Sequence, residues 1–138
     1  MKKILMTAFA LILFAAPLSA QAAVEEKIER PEITIMKFDA EWCASCRAME
    51  PALKEFLEET AGKPVLFVPL NLTDKNTRQH SAYLAASLGF GDVFEKHGDR
   101  TGFALLLDKD GNEKGRFTRD MDAEAMMAAL KKAKQGKE

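Results

Sequence analysis

The chain holds only two cysteines, Cys43 and Cys46, and they stand where a β-rich run passes into a helical pattern. Ile33 to Phe38 has the composition of a strand. After Cys43, the apolar residues Met49, Leu53, Phe56 and Leu57 recur at helical spacing, with Ala52 beside them, and this predicts a helix from about Cys43 to Ala61. Gly62 should end it, with Pro64 just beyond. A second apolar run, Val65 to Leu70, reads as a buried strand. Strand, helix and strand in that order require a parallel pair joined by a right-handed crossover. Both thiols then fall on the first turn of the crossover helix.

That placement has chemical consequences. A thiol attacks as its thiolate, and a free cysteine is mostly protonated at neutral pH, its pKa being ~8.5. A helix N-terminus offers unpaired N–H groups and a partial positive charge, which favour the thiolate. Residues i and i+3 share a helix face, so Cys46 can reach back to Cys43. The expected roles are Cys43 as the attacking thiol and Cys46 as the thiol that resolves a mixed disulfide. Trp42 is expected to cover one side of the pair and offer a contact surface.

Other uses of two cysteines at this spacing fare worse. Structural zinc needs four ligands, and the two histidines, His80 and His97, lack finger-like spacing. Covalent haem attachment wants a histidine directly after the second cysteine, and Arg47 is there. A static disulfide remains the alternative, although so short a loop constrains the unfolded chain little. No motif calls for a metal or a cofactor. Arg47, His80, His97 and Arg100 read as solvated surface residues.

The first 22 residues read as a secretory signal peptide. Lys2 and Lys3 precede an apolar run from Ile4 to Ala16, 13 residues long, and Ala20-Gln21-Ala22 fits a small-x-small cleavage site. That run is short for a bilayer span, so no stable membrane insertion is expected after cleavage. Removing 22 of 138 residues leaves 116, enough for one domain with one core, residues 23–138. Basic residues fall from 20 to 18 against 21 acidic, a net charge near −3, which argues against a nucleic-acid partner. The signal's short, simple form predicts export to a bacterial periplasm, and in such an oxidising compartment a redox-active pair must exchange electrons with a partner protein.

Further along, residues 23–31 suggest a short arm closed by Pro31. Asn71 to Asn76 reads as a loop, and Thr77 to Leu88 as a helix ended by Gly89. Phe90, Val93 and Phe94 suggest a helical turn packed on the core, followed by a polar loop from Gly98 to Gly102. Ala104 to Asp108 and Glu113 to Thr118 flank Lys109-Asp110-Gly111-Asn112, a hairpin signal. Asp122 should cap a last helix to about Lys134, with Met126, Met127 and Leu130 facing the core. Glu124 lies in its first turn and Lys131, Lys132 and Lys134 in its last, which suits the helix dipole. The hairpin adds antiparallel strands to the parallel pair. The fold class is therefore α/β, a central mixed β-sheet with helices on both faces.

With these elements in place, the chain resembles the thioredoxin superfamily. The resemblance rests on Phe38, Ala40, Glu41, Trp42, Cys43, Cys46 and Arg47, on Pro51 five residues after the second cysteine, and on Leu105 to Gly111. It spans nearly all of the 23–138 stretch in element order. The Ala40-Glu41-Trp42-Cys43-x-x-Cys46-Arg47 form and Met121-Asp122-Ala123-Glu124 are similar to the C-terminal domain of DsbD-type interchange proteins. The resemblance implies a thioredoxin-like fold and a protein thiol–disulfide oxidoreductase that reduces, or relays electrons to, protein disulfides. It implies a redox partner protein, and because nothing in the sequence looks like a dimerisation domain, a monomer is expected. A soft-metal module holding Cu(I) on the two thiolates, or a disulfide-forming oxidase, is the alternative.

Two positions depart from the family pattern. The family's buried acid, six residues before the first cysteine, is here Lys37. Lys37 can stabilise a thiolate or act as a base, its stem can pack while its ammonium reaches solvent, and Asp39 or Glu41 can replace the acid. Pro51 should kink its helix. The family's cis-proline is also missing. The equivalent stretch is Thr101-Gly102-Phe103-Ala104, where a trans bond is expected because a cis bond without proline costs ~2.5–4 kcal/mol. Gly102 and Phe103 are expected to form the substrate-docking loop, with Gly102 keeping the backbone close to the cysteines.

Overall fold

Six successive buried residues, Ile33 to Phe38, make β1 (Ile33–Asp39) a strand covered on both faces. The computed structural model describes residues 30–136. The proposed signal peptide, most of the arm before Pro31 and the last two residues lie outside that span. β1 runs into α1 (Ala44–Glu59), and α1 leads to β2 (Val65–Asn71), which pairs parallel to β1 from Ile33↔Val65 to Asp39↔Asn71. β3 (Phe103–Leu107) lies antiparallel on the other side of β1, with Phe38↔Phe103 in register, and β4 (Glu113–Thr118) pairs antiparallel with β3. The strand order is β2-β1-β3-β4, a mixed sheet.

Alternation along β1 divides the core in two. Ile33 and Ile35 face α1 and α4 (Ala123–Gln135), packing with Met49, Leu53, Phe56, Met126 and Leu130. Met36 and Phe38 face the opposite layer with Phe90, Phe94, Leu105 and Leu107. That layer is built by α2 (Lys75–Ser87) and α3 (Gly91–His97). Helices on both faces of a mixed sheet are the architecture read from the sequence.

The differences are local. α2 begins before Thr77 because the Asp74 side chain accepts from the N–H groups of Asn76 and Thr77, while the Thr77 hydroxyl accepts from the Asp74 N–H. This capping box satisfies N–H groups that a helix end leaves open. The expected turn after Phe90 is a seven-residue helix, α3. In the hairpin, Asp108 is the turn's anchor rather than a strand residue. Its carboxylate accepts from the N–H groups of Asp110 and Asn112, and Gly111 supplies a φ of +84°. Among the described residues no helix is long and apolar enough to cross a membrane.

The topology places the site. β1 and β2 are parallel, so both end at the same edge of the sheet, where α1 begins. β3 is antiparallel to β1, so it starts at that edge. The residues after β1, after β2 and before β3 therefore converge on the first turn of α1.

Candidate active site

Cys43 is the N-cap of α1 and Cys46 lies in its first turn, and the two form a disulfide. The Cys43 N–H donates to the Ala40 carbonyl at 3.0 Å, which turns the chain from strand to helix. The Cys43 sulfur takes the capping role that a serine or aspartate oxygen usually takes, accepting from the Cys46 N–H at 3.2 Å. Cys46 is fully buried and Cys43 is 6% exposed. The Cys46 Sγ lies 3.7 Å from the Phe38 carbonyl. Only Cys43 therefore offers its sulfur to an incoming group.

The turn before the pair is pinned from β2's end. The Glu41 N–H donates to the Thr73 hydroxyl at 3.0 Å, and the Trp42 indole N–H donates to the Thr73 carbonyl at 3.1 Å. The Arg47 guanidinium donates to the Glu41 carbonyl at 2.6 Å. Glu41 thus acts here through its backbone, with its carboxylate exposed. Trp42 keeps 63% of its surface exposed beside the pair. α1 runs as one element through Pro51, which leaves the Arg47 carbonyl without its usual N–H donor.

Lys37 is 4% exposed, so nearly all of its side chain is covered. It donates to the Asp39 carboxylate at 2.6 Å, and the other Asp39 oxygen accepts from the Ala40 N–H at 2.8 Å. Residues i and i+2 share a strand face, which is why the two meet. Both line an open groove of about 740 Å³ beside α1, with Pro51, Leu53, Leu57 and Phe67.

Gly102 faces the disulfide. Its φ is +93°, and a Cβ built there would stand 3.0 Å from the Ser45 Cβ and 3.7 Å from the Cys43 Sγ. Its N–H donates to the Phe38 carbonyl at 3.0 Å. No cis peptide occurs among the described residues. Gly102→Ala is expected to cost about 1–3 kcal/mol, from the left-handed backbone and the crowding against Ser45. Urea unfolding of the oxidised protein measures this, and an unchanged midpoint would refute it.

His97 overturns its surface reading: it is 5% exposed. Its ring lies edge-on to Phe38 and Phe103, at 6.2 and 6.1 Å between centroids. Burial holds its pKa below the usual imidazole range; Glu113 opposes the shift, while Arg116, Lys96 and Arg100 add to it. His80 is exposed, as read. The sequence reading also missed Thr73, the link between β2 and the Trp42 turn. The signal available was positional, since residues following adjacent parallel strands sit side by side.

Residues 16–85 match the family model for thioredoxin. The chain belongs to the thioredoxin family. A thioredoxin-family domain carrying a Cys-x-x-Cys pair is a thiol–disulfide oxidoreductase, and this chain carries that pair closed as a disulfide. A comparison with curated proteins found no match. Among solved structures, the chain is similar to StoA from Bacillus subtilis, at 18% identity and a TM-score of 0.51, covering 75% of this chain and 85% of that one. It is similar to a thiol:disulfide interchange protein of the thioredoxin family from Chlorobium tepidum TLS, at 18% identity and a TM-score of 0.53, covering 76% and 81%. The DsbH oxidoreductase matches at 17% identity and a TM-score of 0.53, covering 78% and 75%. At these identities the likeness is one of fold. Among the described residues no group of three or more His, Cys, Asp or Glu could hold a metal ion.

Proposed function

We propose that the protein is an exported thiol–disulfide oxidoreductase that reduces, or relays electrons to, disulfides of other proteins. The observation that carries this is the asymmetry of the pair: the Cys43 sulfur sits at the mouth of a helix N-terminus and Cys46 is wholly buried behind it. In the reduced protein the Cys43 thiolate attacks one sulfur of a client disulfide. The client's other sulfur leaves as a thiolate and takes a proton, and a mixed disulfide remains. Cys46 then gives up its proton and its sulfur attacks the Cys43 Sγ, re-forming the Cys43–Cys46 bond, and the client's second sulfur leaves as a thiolate that takes up a proton. Two electrons pass to the client, and a reducing partner protein must return them.

The other residues serve this step. Trp42 and Gly102 flank the pair and would receive the client backbone, while Phe103 is buried and stacks on Phe38. Lys37 and Asp39 place a charge pair beside α1, and Pro51 frees the Arg47 carbonyl. Export is supported by the basic, apolar and Ala20-Gln21-Ala22 segments at the start of the sequence. The similarity of the Cys43 segment to DsbD-type domains supports the reducing direction.

The test is the reduction potential of Cys43–Cys46, read from Trp42 fluorescence in defined thiol buffers. A value near ~−270 mV is expected, as for a reductant of the thioredoxin kind. A value near ~−120 mV would mark a disulfide-forming oxidant and overturn the direction.

A further inference from the structure

The loop from Gly98 to Gly102 brings Gly102 against the disulfide and contains no proline, so its position must be fixed by other means. Gly102 is held through the Phe38 carbonyl, the same oxygen against which the Cys46 Sγ rests. The next residue, Phe103, stacks on Phe38 with 4.9 Å between centroids. Against both rings stands His97. Its Nδ1 accepts from the Arg100 guanidinium at 3.2 Å, and the Arg100 N–H donates to the His97 carbonyl at 3.1 Å. An arginine can only donate, so Nδ1 carries no proton and the imidazole is the neutral Nε2–H form. The Nε2 faces the Glu113 carboxylate at 4.0 Å.

We propose that His97 is a positioning residue for exchange at the cysteine pair: its neutral ring anchors Arg100 and supports Phe103, and so holds Gly102 against the disulfide. A proton on Nδ1 expels Arg100 and loosens the loop. The inference rests on the reading of Cys43 and Cys46 as the reactive pair.

The surroundings set the sign of the pH effect. Lys96 and Asp92 lie on α3, Arg100 on the loop, and Glu113 and Arg116 on β4, while β1 and β3 present Phe38, Phe103, Leu105 and Leu107. Arg116 is itself held by Glu113 and lies over the Phe103 ring at 4.7 Å. An imidazolium here meets three cations and loses water. With its folded pKa depressed, His97 contributes stability that is complete above ~6.5, the unfolded value, and is lost as pH falls through the folded value.

The experiment uses the oxidised protein, in which the cysteines do not titrate. Amide hydrogen exchange at Gly102, corrected for its intrinsic rate and compared with the core amide of Leu105, is followed from pH 8 downward until the ring ¹⁵N shifts show His97 protonated. The wild type should lose about fivefold in Gly102 protection as His97 takes up its proton, the scale of one hydrogen bond. Arg100→Ala, a change at an exposed side chain, should show the loss at every pH with no step. His97→Phe keeps ring packing and should remove the step as well. Ring ¹⁵N shifts should show Nε2–H in the wild type. In the reduced protein, the thiolate-corrected rate with a small aromatic disulfide should fall in parallel. A pH-independent Gly102 amide that Arg100→Ala does not change, an Nδ1–H ring, or a rate indifferent to loop loosening would each overturn the proposal. Exchange persisting in Cys43→Ser would sink the reading of the reactive pair and this proposal with it. Normal dependence on Cys43, with the loop readouts unmoved, sinks the His97 proposal alone.

Discussion

Cys43→Ser should abolish disulfide reduction, while Cys46→Ser should leave a protein that attacks once and stays joined to its client. The two sulfurs differ in position, not in chemistry. Cys43 caps α1 and accepts the Cys46 N–H at 3.2 Å, so a thiolate there is met by a backbone donor and the positive end of the helix. Cys46 has no exposed surface, and its sulfur lies against the Phe38 carbonyl. A client sulfur can therefore reach Cys43 alone. Loss of the nucleophile should cost at least ~10³-fold in turnover, as such losses do in other enzymes. Cys46→Ser should retain the first, bimolecular step at a rate within about tenfold of wild type, because the Cys43 environment is kept. Mass spectrometry after mixing with a disulfide-bonded client reads both outcomes. A covalent adduct on Cys43→Ser, or none on Cys46→Ser, would reverse the roles.

Much of the architecture behind this was legible in the sequence. The two strand runs, the intervening amphipathic helix and the Asp110-Gly111 hairpin require a β-α-β unit extended by antiparallel strands, and the strand starts and ends converge at Cys43. The family's cis-proline position, filled here by Thr101 to Ala104, implied a close backbone approach at Gly102, which lies against Ser45 and Cys43. Contacts between distant segments were less legible. His97 read as a loop-side surface residue, although it stands three residues after Phe94, on the helix face that Phe90, Val93 and Phe94 mark as core. The rings that enclose it, Phe38 and Phe103, arrive from β1 and from β3. The start of α2 was readable but missed: Asp74-x-x-Thr77 is a capping pattern, and loop-like composition masked it. For Lys37 the sequence left open whether the ammonium reaches solvent. Its fate depended on Asp39, two residues on, turning toward it rather than toward water.

That pairing predicts an asymmetric response to substitution. Lys37 keeps 5% of its side-chain surface exposed and Asp39 keeps 30%, so the ammonium depends on its partner more than the carboxylate does. Asp39→Asn retains an acceptor for the Ala40 N–H but strips Lys37 of its counter-ion, leaving a charge at the wall of the groove beside α1 with little exposed surface. Removing one partner of a fully buried pair costs ~3–5 kcal/mol. With a partly exposed carboxylate and an open groove here, about 1–3 kcal/mol is expected. Lys37→Met does the reverse: it leaves Asp39 with water and the Ala40 N–H, and places an apolar stem beside Leu53 and Phe67. That change should lie within about 1 kcal/mol of wild type. The double variant Lys37→Met/Asp39→Asn should recover most of what Asp39→Asn loses, because the stranded charge is gone. Urea unfolding of the four oxidised proteins closes the cycle. Equal costs for the two single variants, or no recovery in the double, would mean that the ammonium is solvated and the pair carries no weight in the fold.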